Sequence, residues 1–248
     1  MARFTRLKKL DLIICFIDDS PFEHDLVRQE IAPSAPGLKF IQAYTFEEAK
    51  ETLAGSIPVL FLLDLWGQDM TVKKPLLMPK KDLEEKISQM KTLETVYEGL
   101  ENFQGDRTNE YLKRLFTIVD GWRNVFEEVC DRIGQNRKYG LSNLRQVRKW
   151  YPGIPAVFYT RKSLISDAVA IFEAGVDGLF IKPTGFDDAE TRISTRQYAP
   201  KLIEALALVV DRHINKLNPL EMAYESEFIG EKYGMTSLKK TWRAFRKQ

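Results

Sequence analysis

Five short apolar runs, each followed by polar residues or a turn, set the frame of this chain: Leu12–Ile17, Lys39–Tyr44, Val59–Leu63, Ala156–Tyr159 and Gly178–Ile181. Leu12–Ile17 and Val59–Leu63 are apolar at nearly every position, the pattern of central parallel strands covered on both faces. Between the runs the period changes to that of helices. Pro21–Ile31 carries Phe22, Leu26, Val27 and Ile31 at helical spacing, with Ser20 placed to cap it and Pro21 in its first turn. Phe46–Leu53 begins after Thr45, with Glu48 three residues on as a capping-box partner, and stops at Gly55. Ile165–Ala174 is a helix with Gly175 just past its end. Thr184–Arg196 is polar and reads as a loop, followed by a final helix over Ala199–Leu217 with Leu202, Leu206, Val209, Val210 and Ile214 inward.

The stretch from Trp66 to Tyr139 breaks this alternation. Asp82–Phe103 places Leu83, Ile87, Met90, Leu93, Tyr97 and Leu100 on one helical stripe, and Glu110–Ile133 repeats the pattern from Leu112 to Ile133. Two long helices around the turn Gln104-Gly105-Asp106-Arg107 predict an antiparallel helical hairpin. A shorter helix then opens at Gly140, with Ser142 as its cap, and runs to Trp150. With the hairpin set aside, five strands alternate with five helices, which is the signature of a doubly wound parallel α/β sheet. The expected organisation is an α/β domain over 1–217, interrupted by a helical insertion at 69–139, and a basic C-terminal tail over 218–248.

Composition narrows the class. The 248 residues are 44% hydrophobic and 29% charged, as in a soluble globular protein. The longest apolar run, Ile57–Leu63, is far shorter than a bilayer span, and the basic N-terminus lacks the apolar core of a signal peptide. Cys15 and Cys130 show no ligand or disulfide spacing, so a reducing, cytoplasmic setting is expected. The net charge of +2 is unevenly spread, with six Lys/Arg and no acids from Lys232 to Gln248. There Leu238, Trp242 and Phe245 fall on one helical face among Lys239, Lys240, Arg243, Arg246 and Lys247. That short basic amphipathic helix is expected to dock on the domain or a partner, with nucleic acid or an anionic surface as the alternative; no DNA-reading module accompanies it.

The chemistry sits at the strand ends. Asp18-Asp19 follows the first run, Asp64 the third, Thr160 the fourth and Lys182-Pro183 the fifth. In open parallel sheets ligands bind in the crevice at the carboxyl ends of the strands, so these groups converge. Three carboxylates, a hydroxyl and an ammonium make a site for a divalent cation and a phosphoryl group. A Mg²⁺-dependent phosphatase with an aspartyl nucleophile after strand one would need Asp-x-Asp, which Asp18-Asp19-Ser20 lacks. His24 and His213 are isolated; His24 is read as a surface residue near the first helix start, and His213 as structural or exposed.

With these residues in place, the chain resembles the receiver domain of two-component response regulators over about Leu10–Leu65 and Gly140–Leu217. Phe172-Glu-Ala-Gly-Val-Asp-Gly-Leu-Phe-Ile-Lys-Pro183 and Gly140-Leu-Ser-Asn-Leu-Arg-Gln-Val-Arg148 are typical of that family. The resemblance implies a flavodoxin-like fold, a phospho-acceptor at Asp64, a conserved hydroxyl at Thr160 and a phosphoryl-pairing ammonium at Lys182. It implies Mg²⁺ on Asp19 and Asp64, on Asp18 directly or through water, and on the Trp66 backbone carbonyl. It implies a sensor histidine kinase or phosphotransfer protein as donor. It also implies a signalling protein rather than an enzyme, beyond self-catalysed phosphorylation and dephosphorylation. The chain departs from the family pattern in four ways. Gln68 replaces a proline, Arg161 a small residue, and Leu179, with Phe180 beside it, the switch aromatic. The glycine that opens the third helix is Gly140, 76 residues after Asp64. The insertion's apolar stripes suggest docking of a downstream protein or of a second copy of the chain. The second reading is a receiver-like scaffold or adaptor that acts through this insertion without phosphorylation.

Overall fold

The computed structural model describes residues 12–68, 76–161, 165–216 and 242–247. The chain divides into two compact units: Met1–Gly67 with Arg137–Gln248, and Gln68–Asn136.

In the first unit the strands are β1 (Leu12–Ile17), β2 (Leu38–Ala43), β3 (Leu60–Leu63), and, after the second unit, two more at Ala156–Thr160 and Gly178–Ile181. All neighbours pair in parallel. Continuous burial marks β1 and β3 as central, as their unbroken apolar runs predict; the last strand is an edge, with Ile181 about half exposed. Helix α1 (Pro21–Leu26) follows β1, continues into a π-helical turn over Val27–Ile31, and is capped by the Ser20 hydroxyl, which accepts from the Glu23 N–H. Helix α2 (Phe46–Leu53) is capped by Thr45, whose hydroxyl accepts from the Glu48 N–H at 3.2 Å, while the Glu48 carboxylate reaches back to the Tyr44 N–H.

The second unit holds β4 (Gly67–Gln68), which begins on the preceding residue, and helices α3 (Lys80–Ser88), α4 (Leu93–Tyr97) and α5 (Arg107–Arg132), then β5 (Gln135–Asn136), which pairs with β4. The single helix expected over Asp82–Phe103 is therefore broken into α3, α4 and a 3₁₀ turn at Leu100–Asn102. Helix α4 stops at Glu98, and Gly99 adopts a φ of 64°, so the chain turns although the apolar spacing runs on. Arg114 of α5 donates to the Val96 and Glu98 carbonyls at 3.1 and 2.7 Å, satisfying groups that the short α4 leaves open. The expected second arm is present as one long helix, capped by the Asp106 carboxylate on the Thr108 and Asn109 N–H groups. Leu112, Phe116, Val119 and Trp122 stand exposed along it.

Back in the first unit lie α6 (Lys138–Trp150), β6 (Ala156–Thr160), α7 (Ile165–Glu173), β7 (Gly178–Ile181) and α8 (Asp188–Lys216). The order of the main sheet is β2-β1-β3-β6-β7. Helix α6 starts before the predicted Ser142 cap because the Gly140 N–H already has a partner, the Leu65 carbonyl at 3.1 Å. Of the segment read as a polar loop, residues 184–187 lie outside any helix, while residues 188–196 are the first third of α8. Its buried stripe is Thr191, Thr195, Ala199 and Leu202, so threonines stand where the helical pattern would show aliphatics. Leu12, Ile14 and Phe16 of β1, with Leu60 and Leu62 of β3, pack against Val27, Ile31 and the inner face of α8. Each such side chain contributes roughly 1.5–3 kcal/mol by leaving water.

The C-terminal segment 242–247 closes this layer. Trp242 is buried in the same cluster, and its Nε1 donates to Asp211 at 2.6 Å. Arg246 pairs with Glu204 at 2.9 Å and Asp211 at 3.2 Å, both on α8. Here the tail docks on its own domain; Leu238, Lys239 and Lys240 lie outside the described residues. Because these ion pairs are partly exposed, Arg246→Ala is expected to cost only about 0.5–1 kcal/mol in urea unfolding, and less in high salt.

Candidate functional site

The strand order reverses between β1 and β3: β2 lies to one side of β1, while β6 and β7 lie beyond β3. That switch point is where open α/β sheets leave a crevice at the carboxyl ends. Backbone bonds carry the sheet pairing up to the site, from the Asp18 N–H to the Ala43 carbonyl at 3.1 Å, from Asp64 to Ile17 at 2.8 Å and from Lys182 to Thr160 at 2.9 Å. The side chains that follow are therefore held by the sheet and not by loops.

Asp18, Asp19 and Asp64 each offer a carboxylate oxygen, and these oxygens lie within 4.8 Å of one another. Lys182 Nζ donates to Asp18 Oδ2 at 2.5 Å and to Asp64 Oδ1 at 3.1 Å. The other Asp18 oxygen accepts from the Ser20 N–H at 2.9 Å. Thr160, fully buried at the end of β6, has its hydroxyl hydrogen-bonded to Asp64. Trp66, two residues after Asp64, is buried, with the Arg137 guanidinium 6.0 Å from its ring centre. The structure thus brings together every side chain that the strand-end pattern singled out.

Charge is out of balance at this point. Burial pushes the Asp18 carboxyl up to about 7, with Lys182 pulling it down and the Asp64 and Glu23 charges pushing it up. Burial also raises Asp64, opposed by Lys182 and by the Thr160 hydrogen bond. For Lys182 burial works against the charged form, yet Asp18, Asp64 and Glu23 together hold it above the usual lysine range. The ammonium therefore stays charged, and the carboxylates are short of cation. An all-oxygen donor set with surplus negative charge fits a hard divalent cation such as Mg²⁺.

The strand-end pattern does not mark several residues around the site. Glu23, in the first turn of α1, is a fourth carboxylate at the site and, like Asp18 and Asp64, buried; it lies 3.6 Å from Lys182 Nζ and pairs with Arg161 at 2.5 Å. Its only signal was its place three residues after the Ser20 cap, where an acid reads as a capping-box partner. His24 is buried, not at the surface: its Nε2 donates to the Asp18 carbonyl at 2.8 Å and its ring stacks on Tyr44 at 4.4 Å. A histidine one turn into a helix looks exposed unless the neighbouring strand end is known to cover it. Tyr139 donates its hydroxyl to the Tyr44 carbonyl at 2.7 Å. Burial, then the charges of Asp18, Asp19 and Asp64, push that hydroxyl above its ordinary range, which places it in the field of the acids.

No protein-family model matches the chain, and no curated protein does. Solved structures do. A CheY-like response regulator receiver domain from Methanospirillum hungatei is 14% identical, covering 84% of this chain and 99% of its own, with a TM-score of 0.43. The response regulator domain of Thermotoga maritima CheB is 15% identical, covering 84% and 99%, with a TM-score of 0.42. The Mn²⁺-bound form of the response regulator Rcp1 is 15% identical, covering 78% and 95%, with a TM-score of 0.39. The fold is assigned from the strand order β2-β1-β3-β6-β7, all parallel, and not from these likenesses. The chain has a flavodoxin-like fold. Among the described residues no helix is long and apolar enough to cross a membrane.

Proposed function

We propose that this protein is a phosphorylatable receiver, with Asp64 as the acceptor. The observation that carries the reading is Lys182 Nζ, buried and charged, 3.1 Å from Asp64, whose carboxylate clusters with those of Asp18 and Asp19 at the switch point of the sheet. An Asp64 carboxylate oxygen would form the new bond to phosphorus while the bond from phosphorus to the donor's leaving group breaks. With acetyl phosphate the leaving group is acetate; with a sensor kinase or phosphotransfer protein it is a histidine nitrogen. Mg²⁺, held by Asp19 and Asp64, by Asp18 directly or through water and by the Trp66 carbonyl, would offset the repulsion between carboxylate and phosphate. Lys182 would pair with one phosphoryl oxygen, and Thr160 would turn its hydroxyl from Asp64 to another. Signal output would pass through protein contacts, including the inserted unit.

The test is intact-protein mass after incubation with acetyl phosphate. Wild type is expected to gain one phosphoryl group only with Mg²⁺, and Asp64→Ala to gain none. No gain by wild type would sink the reading. It would favour the adaptor alternative, for which the exposed row Leu112, Phe116, Val119 and Trp122 on α5 is the supporting observation.

A further inference from the structure

We infer that Arg161 is a positioning residue for Lys182: it holds Glu23, a buried carboxylate that competes with Asp64 for the lysine. This rests on the reading of Asp64 as acceptor. Lys182 has three N–H donors and three carboxylates in range, Asp18 at 2.5 Å, Asp64 at 3.1 Å and Glu23 at 3.6 Å. The first two are hydrogen bonds and the third falls just short of one. Glu23 Oε1 is taken from the other side by two arms of Arg161, Nε at 3.0 Å and Nη2 at 2.5 Å. The remaining arm, Nη1, is fixed to the Pro183 carbonyl at 3.0 Å and the Thr184 hydroxyl at 3.3 Å. Both anchors adjoin Lys182 in the chain, so the guanidinium cannot follow Glu23 inward.

Glu23 is 6% exposed with Arg161 in place, and without Arg161 the cation left beside it is Lys182, 3.6 Å away. A desolvated carboxylate takes the nearest cation, and that is Lys182. Glu23 would then draw the ammonium away from Asp64. The planar fork of arginine suits this task because it grips Glu23, the Pro183 carbonyl and the Thr184 hydroxyl at once, which a lysine could not do. Arg161, the large residue following Thr160, and the acid at Glu23 thus form one device.

The test compares wild type, Arg161→Ala, Glu23→Gln and the double variant, with two measurements. The first is the rate of acyl-phosphate formation from acetyl phosphate with Mg²⁺. Arg161→Ala is expected to slow it about tenfold, Glu23→Gln to leave it within about twofold, and the double variant to recover to that level. The second is the ¹⁵N resonance of Lys182 Nζ in metal-free protein, expected to shift in Arg161→Ala and to return in the double variant. A purely structural Arg161 would leave the double variant as slow as the single one, and that result overturns the inference, as does an Arg161→Ala rate equal to wild type. If wild type takes up no phosphate, the acceptor reading fails, and the Lys182 resonance alone decides the positioning role. Where Arg161→Ala does not fold, Arg161→Lys carries the same comparison, with its slowing again relieved by Glu23→Gln.

Discussion

Lys182→Met is expected to destabilise the metal-free protein by about 3–5 kcal/mol near pH 8, and by much less near pH 5.5. The lysine is 4% exposed and is the cation shared by Asp18, Asp64 and Glu23. Removing it leaves buried carboxylates that must either stay charged without a partner or bind protons. The sign of the pH dependence follows from Asp18, which burial pushes up to about 7. A carboxyl raised on folding favours the fold at acid pH, where it is protonated, and that contribution is lost as pH rises through the folded value. In wild type Lys182 limits the loss; in the variant nothing does, so the gap between the two widens with pH. Urea unfolding in chelator at the two pH values measures it. An equal loss at both would mean that Lys182 acts by packing and not by charge. For the same reason Mg²⁺ is expected to raise the wild-type unfolding midpoint more near pH 8 than near pH 5.5.

What could be read from the sequence here has a physical pattern. Central strands, helix caps and strand-end acids are local: β1, α2 and β7 begin and end within a residue or so of where apolar runs, Thr45 and Gly178 put them. Asp18, Asp19, Asp64, Thr160 and Lys182 could be grouped because one rule of parallel sheets brings all strand ends to one place. The misses are cases where burial did not go with hydrophobicity. The first third of α8 buries Thr191 and Thr195, so its helical stripe is polar in composition. The break between α3 and α4 leaves the apolar spacing intact, so periodicity carries straight through it. Glu23 and Arg161 are 138 positions apart in the chain and have meaning only as a pair across the site. His24 is covered by Tyr44 from another strand end, a contact no local pattern encodes.

Gly140 links fold and site most directly, and replacing it is the second large effect expected. A Cβ there would lie 2.5 Å from the Asp64 carbonyl oxygen and 2.6 Å from both Cα and the carbonyl oxygen of Leu65. All three are backbone atoms of the segment leaving β3, so no side chain can rotate away. Overpacking a core commonly costs about 1–3 kcal/mol, and Gly140→Ala is expected at or above the top of that range. Either α6 must lift, losing the bond from the Gly140 N–H to the Leu65 carbonyl, or the Asp64 backbone must shift. The second course moves Asp64, the proposed acceptor, relative to Lys182 and Thr160, so phosphoryl uptake is expected to fall about tenfold or more even at temperatures where the variant stays folded. Gly178→Ala is the control. Its Cβ would meet only side-chain carbons of Val157 and Phe180 at 3.3 to 3.7 Å, so thermal unfolding and phosphoryl uptake should both stay close to wild type. Equal behaviour of the two variants would show that α6 is not pressed against Asp64. A large difference confined to Gly140→Ala would mean that the first turn of α6 sets the position of Asp64 from behind, while Lys182 and Thr160 set it from the front.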